Sequence, residues 1–299
     1  MRETSRYISG KMDNNIGKKI FDLIKKLYPI CRSLTGNGNK KTLNIIKKII
    51  PKLKILKFKS GTKVFDWKIP DEWNVNDAYI ISPKGKKIAN FKNNNLHLVN
   101  YSIPIKKKIS LKNLKKKIFY YKNLPNAIPY VTSYYKRDWG FCLTYNQFKK
   151  LKSGNYKAII DTNFNKNGHL VLGEYLIKGR SKKEILISCN ICHPSMVNNE
   201  LSGPSLLTYL IKKLENEQNF YSIRCIFIPE TIGAITYLSK KIKHLHKYFY
   251  AGFHLTCIGD SRQYSIIESK FKNSYSDKIA KLILKYKKGN TKIYSFFDR

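Results

Sequence analysis

The chain has 299 residues, 42% of them hydrophobic, with 21 Tyr and 15 Phe, enough to bury one large core or two modest ones. Its formal net charge is +39, from 58 basic and 19 acidic residues, a balance that raises nucleic-acid binding through phosphate neutralisation. The distribution argues against that reading: only eight of the basic residues are Arg, the side chain suited to bidentate base and phosphate contacts, and Lys, Asn and Ile rise together along the chain, as an AT-rich coding sequence would produce.

Residues 14–56 read as helical, because Ile20, Phe21, Ile24 and Leu27, and then Leu43, Ile45, Ile46, Ile49 and Ile50, recur at helical spacing. Between them Arg32-Ser33-Leu34-Thr35-Gly36 is a polar turn, either a helix connection or a segment that approaches a site. From about residue 60 the texture changes. Short apolar or alternating segments at 63–67, 77–81, 87–91, 95–99 and 140–143 lie between Pro, Gly and Asn breakers, the pattern of a small antiparallel β unit reaching to about residue 165. The lysine-rich stretch 106–117 is expected as an exposed helix or loop. Beyond residue 165, strands at 184–190, 221–228 and 249–258 alternate with helices at 203–215, 232–247 and 274–287, which predicts parallel strands with crossover helices. The expected organisation is an N-terminal helical part (1–60), an inserted β-rich unit (61–165) and an α/β domain (166–299).

Six Cys are scattered, several inside apolar runs, unlike a disulfide scaffold. Residues 1–7 carry no apolar leader and no apolar run reaches the length of a membrane span. A cytoplasmic protein with no membrane partner is expected. Neither a Gly-rich dinucleotide fingerprint nor a phosphate loop is present.

Polar residues collect where three of the predicted strands end: His193 with Asn199 and Glu200, then Glu230, then Asp260. In an open α/β sheet such ends converge on one crevice. One His with two or three carboxylates suits zinc or another divalent metal, with a carboxylate left over as general base. Each residue also has a plain alternative. His193 could be a satisfied loop histidine, Glu200 and Glu230 helix-terminal charges, and Asp260 a turn residue. Their joint occurrence carries the argument. Cys189-Asn-Ile-Cys192-His193 also matches a haem-attachment pattern. The missing leader and the place of Cys189 near the end of a buried strand weigh against it. A redox dithiol is equally weak, since no helix is predicted to start there.

The segments 61–67, 69–73, 93–97, 127–135, 139–142, 192–195, 229–233 and 255–260 together resemble a bacterial aminopeptidase-like family, a domain-of-unknown-function group related to zinc aminopeptidases, over about residues 20–299. The resemblance implies a three-layer α/β, phosphorylase/hydrolase-like zinc-peptidase fold with a small inserted β domain. It further implies metal-dependent hydrolysis of a small peptide or aminoacyl amide. His193 falls where the family places its first metal-binding His, and Glu230 where it places the general base. Asn199 stands at the place of a metal-bridging Asp, Thr231 at that of a metal-binding Glu, and Thr256 at that of a further metal-binding Asp, with Asp260 close by. A neutral Asn cannot supply the charge a carboxylate brings to two cations, so a single metal on His193 with Glu200 or Asp260 is expected. Asn199, Thr231 and Arg32 would then contact substrate or support the ligands. Family members continue past the point corresponding to residue 299 and supply a further His there; Phe296-Phe-Asp-Arg299 looks like the start of that motif, so an incomplete α/β domain is expected. The alternatives are a non-catalytic or truncated member of the fold and, second, a basic nucleic-acid-binding protein. Homo-oligomerisation is left open.

Overall fold

The computed structural model describes residues 15–260, 262–287 and 289–298; residues 1–14 of the expected N-terminal part and Arg299 of the expected final motif lie outside them. Helices α1 (Ile16–Leu27) and α2 (Asn37–Ile49) form where the helical spacing places them, with Leu23, Leu27, Leu43 and Ile46 buried. The helical expectation runs too far, to residue 56. Ile50 precedes Pro51, whose ring drives the preceding residue out of the α region. Ile50 has φ −124° and ψ 82°, and the chain continues as strand β1 (Lys54–Lys59).

Four of the strands that follow, β2 (Glu72–Ile81), β3 (Lys87–Ile88), β4 (Ile105–Ser110) and β5 (Asn155–Asn165), form an antiparallel sheet of order β3-β2-β5-β4. The lysine-rich stretch is therefore not simply helix or loop. Its first half is the edge strand β4, with Ile109 buried and Lys106, Lys107 and Lys108 exposed, and lysines on an edge discourage pairing with another chain. Its second half contains the short helix Leu111–Lys115, anchored by the buried Leu114. Segment 95–99, expected as strand, begins with a 3-10 turn at Asn95–His97, capped by the Asn94 side chain accepting from Leu96 N at 2.9 Å.

The chain then returns to the first sheet through β6 (His169–Ile177), the antiparallel partner of β1. Strands β7 (Ser181–Asn190), β8 (Tyr221–Ile228) and β9 (Phe249–Leu255) complete it, in the order β1-β6-β8-β7-β9. Helices α3 (Ser202–Glu215), α4 (Ile232–Tyr248) and α5 (Tyr275–Tyr286) match the three predicted ones to within a residue or so. Strand β7 runs parallel to β8 and β9, whereas β6 opposes both β8 and β1. The sheet is therefore mixed, with its parallel part where the strand and helix alternation lies.

Successive side chains of a strand point to opposite faces, and this builds the layers. Val171, Tyr175, Cys225 and Phe227 pack with Leu43 and Ile46 of α2 and Leu207 and Ile211 of α3. Leu170, Leu172, Ile226 and Ile228 pack on the other side with Ile232, Tyr237 and Leu245 of α4, and with Trp73, Ile80, Phe141 and Tyr156. The antiparallel sheet thus shares one apolar cluster with the α/β sandwich. Glu72, buried at the start of β2, joins the two: Lys40 Nζ of α2 donates to it at 2.7 and 2.8 Å, and His169 N of β6 at 2.8 Å. No described helix is long and apolar enough to cross a membrane.

A buried ion network ties α4 to the sheet. Arg224 of β8 donates to Glu184 of β7 through Nε and Nη2, both at 2.7 Å, and its Nη1 lies 3.0 Å from Glu174 of β6. Tyr237 OH of α4 donates to Glu174 at 2.6 Å, and His244 Nε2 lies 2.9 Å from Glu184. Arg224→Met should lower unfolding stability by about 3–5 kcal/mol, because it strands two buried carboxylates. Burial works to raise the Glu184 carboxyl, but Arg224 and His244 outweigh it and leave it below its ordinary value of 4.5. The stabilisation is therefore present above about pH 4.5 and lost as pH falls through the lowered folded value. Urea titrations at neutral and acid pH measure both effects, and an Arg224→Met loss that does not shrink on acidification would contradict the linkage.

Candidate active site

Three adjacent parallel strands, β8, β7 and β9, end on the same edge of the sheet, and the loops leaving them carry Glu230, His193 and Asp260. After β7 the chain turns through Cys192 and His193, both buried, and returns in a π-helical turn at Val197–Leu201 that inserts Glu200 beneath its own loop. Glu200 Oε1 accepts from His193 N at 2.8 Å and from Cys192 N. Glu200 Oε2 lies 3.0 Å from His193 Nδ1. This orients the imidazole so that Nε2 lies 3.2 Å from Glu230 Oε2, a carboxylate that is 47% exposed where its partners are buried. Burial alone would depress the His193 pKa; the bonds and charges of Glu200 and then Glu230 outweigh it and lift it to about 9.

Arg32 supports this loop from behind. Fully buried, it donates from Nε and Nη2 to the His193 carbonyl at 3.1 and 2.9 Å, and from Nη1 to the Leu27 carbonyl at 2.7 Å. Burial pulls its guanidinium down to about 10, with Glu200 opposing that shift. Every one of these donors is spent on backbone, so the turn seen in the sequence between α1 and α2 reaches the site as a strut.

The remaining expected residues are placed differently. Asp260 follows β9, but its carboxylate accepts from Asn198 Nδ2 at 3.0 Å and from Arg262 Nη2 at 2.6 Å, and Arg262 holds it down at about 2. Asn199 is exposed; its carbonyl accepts from Thr256 Oγ1 at 3.1 Å and its amide faces Cys257 Sγ at 3.9 Å. Thr231, next to Glu230, is exposed with φ 57°. That left-handed conformation is strained for a β-branched residue. Tyr134, Ser195 and Cys257 also have positive φ, at 47°, 48° and 52°, as do Phe65, Ala89, Tyr101 and Lys272 elsewhere in the fold.

Three contributors carry no role at this site in the sequence reading. Tyr130 packs its ring edge-on to His193 at 4.6 Å between centroids, and Tyr134 lies close enough to Glu230 and Cys192 to feel their charge. Both belong to the aromatic run 127–135, whose density was the available signal. The third is Cys192, weighed above only for haem and redox chemistry. Its Sγ accepts from Glu230 N at 3.1 Å, and burial, reinforced by Glu200, holds its thiol well above the ordinary range.

A divalent cation can be tested against this donor set. Donor atoms of Cys192, His193 and Glu230 lie within 4.8 Å of one another. The Cys192 sulfur and the His193 imidazole suit zinc, with the Glu230 carboxylate alongside them, and the carboxylate behind Nδ1 is the arrangement that fixes the tautomer of a ligating His. The set fits one cation. It does not extend to a second, because Asn199 and Thr231 are neutral and Asp260 is engaged by Arg262.

The model of the domain of unknown function DUF4910 matches residues 21–299. A Clostridium acetobutylicum protein described as a "putative polysaccharide biosynthesis protein with aminopeptidase-like domain" is 43% identical over 297 residues, covering 99% of this chain and 67% of that protein. A crystal structure of a "putative peptidase" from the same organism superposes with a TM-score of 0.90 at 44% identity, covering 95% of this chain and 67% of the other. A zinc aminopeptidase from Bacillus subtilis shares the fold at 13% identity and a TM-score of 0.62, with 93% and 83% of the two chains covered.

The clamp on His193 predicts a titration. In chelator-treated protein its imidazole should titrate at about 9, and Glu200→Gln should lower that midpoint because burial then meets only one carboxylate. The folded value lies above the ordinary 6.5, so the stabilisation is full below about pH 6.5 and lost as pH rises through about 9. Histidine NMR of the two proteins is the check; a wild-type midpoint near 6.5 would dissolve the clamp.

Proposed function

The chain belongs to the DUF4910 family, and from that premise we propose that it is an aminopeptidase-like hydrolase acting on peptide or aminoacyl-amide bonds at the His193–Glu230 edge of the sheet. The observation that carries the reading is His193 held on Glu200 with Nε2 turned to a half-exposed Glu230. It sits at the carboxyl end of parallel strands, where α/β folds place their chemistry.

A divalent cation held by His193 Nε2 and Cys192 Sγ, the thiol releasing its proton to solvent on binding, would supply Lewis acidity to an amide carbonyl. The chain's own residues do the remainder. Glu200 fixes the His193 tautomer and, with Arg32, the height of its loop. Glu230 is the one carboxylate of the cluster with solvent access, and it takes the proton of the attacking water and passes it to the leaving amine. Strain at Thr231 sets its direction, and Tyr130 and Tyr134 wall the cleft against bulk water.

The neutral Asn199 and Thr231 and the engaged Asp260 favour a second reading, a non-catalytic member that retains the architecture. Metal content and turnover separate the two. The hydrolase should retain about one zinc per chain after dialysis and cleave aminoacyl p-nitroanilides in a chelator-sensitive way. Glu230→Gln should cut turnover at least about 100-fold with zinc retained. Loss of zinc in that variant would make Glu230 a ligand and overturn its role as base. Wild-type protein that neither holds zinc nor cleaves any such amide would establish the non-catalytic reading.

A further inference from the structure

A second concavity lies in the antiparallel β unit and shares no lining residue with the candidate active site. It encloses about 510 Å³, within the range of small-molecule sites. Pro83, Ile88, Leu151 and Tyr156 contribute apolar walls. Lys84, Lys86, Lys87, Lys150 and Lys152 also line it, and no Asp or Glu does. In a chain with 58 basic residues lysines alone mean little. What marks this cavity is His97, which lines it although only 6% exposed.

His97 Nδ1 lies 2.8 Å from the Cys142 carbonyl oxygen, and a carbonyl only accepts, so Nδ1 carries the proton and donates. Burial lowers the imidazole pKa and keeps the ring neutral. Nε2 is then a lone-pair acceptor, and it has no protein donor among the described residues. A neutral acceptor held at a largely apolar wall calls for a donor on whatever enters, and the lysine rim calls for negative charge. We propose that this cavity binds a small organic anion, its carboxylate or phosphate toward the lysines and a hydroxyl or N–H donating to His97 Nε2. Ser82, Asn90 and Gln147 offer further polar contacts. The segment Asn93–His97, quoted in the family resemblance and unused at the active site, contributes Asn93 and His97 to the wall.

Calorimetry with 4-hydroxyphenylacetate and (4-hydroxybenzyl)phosphonate tests this, with phenylacetate lacking the hydroxyl and 4-hydroxyphenethyl alcohol lacking the charge. One-to-one saturable binding of either anion is expected, the uncharged alcohol binding at least about tenfold more weakly, and the better of the two anions separates carboxylate from phosphate ligands. Lys86→Ala combined with Lys150→Ala should weaken binding at least about tenfold. Lys47→Ala combined with Lys48→Ala, on the exposed face of α2, should leave it unchanged. His97→Phe should erase the preference for 4-hydroxyphenylacetate over phenylacetate. Equal losses from both lysine pairs, or no saturation, would reduce the effect to general attraction by a basic surface and overturn the proposal. Loss of binding in Glu230→Gln would move the probe to the other cleft, with the same result.

Discussion

The buried carboxylate of Glu200 is the contact on which the arrangement at the sheet edge depends. Two backbone amides that leave β7, Cys192 N and His193 N, converge on one of its oxygens, and His193 Nδ1 meets the other. Without it these donors would be buried with no partner, a cost that folded chains avoid. Glu200 reaches them because the chain loops out and returns through a π-helical turn, a rare geometry that tends to occur at functional positions. The turn feeds directly into α3, whose first turn lies close against the end of β9. A Cβ at Gly203 would sit 2.4 Å from the Leu255 carbonyl, so only glycine allows that approach. One ionic contact therefore sets the height of His193, the start of α3 and the spacing to the β9 loop.

The rest of the cleft comes from the antiparallel unit, which sits in sequence between two neighbouring strands of the main sheet. Interrupting β1 and β6 leaves their pairing intact and lets a long segment emerge at one place. Because the unit shares its apolar cluster with α4 and the main sheet, and Glu72 joins it to α2 and β6, it is held in register with the site. Tyr130 and Tyr134 then stand at fixed positions against His193 and Glu230. The segment that carries both tyrosines is irregular, and it is tied down by Asn100 N donating to the Val131 carbonyl and Ser133 N to the Asn100 carbonyl, both at 2.9 Å.

How much of this was legible in the sequence follows from how local each cause is. Helices α3, α4 and α5 and strands β7, β8 and β9 were readable because their apolar spacing is an internal property of each segment. Strand β4 was not: three consecutive lysines mask a period-two strand when it lies at an edge, and only Ile105 and Ile109 turn toward the core. Strand β6 was missed because it is apolar on both faces, a pattern that reveals burial but not direction. At the site, strand ends pointed to His193, Glu230 and Asp260, yet no spacing reveals that Arg262 and Asn198 take up Asp260. Nor does it reveal that Glu200 turns inward. Those outcomes depend on which donor lies nearest after folding, a tertiary property.

The scarcity of acids gives the site its remaining logic. Of 19 acidic residues, Glu72, Glu174, Glu184, Glu200 and Asp277 are buried. Each of the five is hydrogen-bonded where separate elements meet. The net charge of +39 is set by 58 basic against 19 acidic residues, and with so few carboxylates, those spent on internal joints leave the surface more basic still. The same economy operates at the sheet edge. Glu200 is committed to the loop and Asp260 to Arg262, which leaves Glu230 as the carboxylate that both touches His193 and meets solvent. A second cation would need negative charge that Asn199 and Thr231 do not carry, and attraction from distant groups falls off with separation and does not replace a ligand's charge. On the proposed hydrolase reading, the cluster is organised around one cation and one base, with Glu230 as that base.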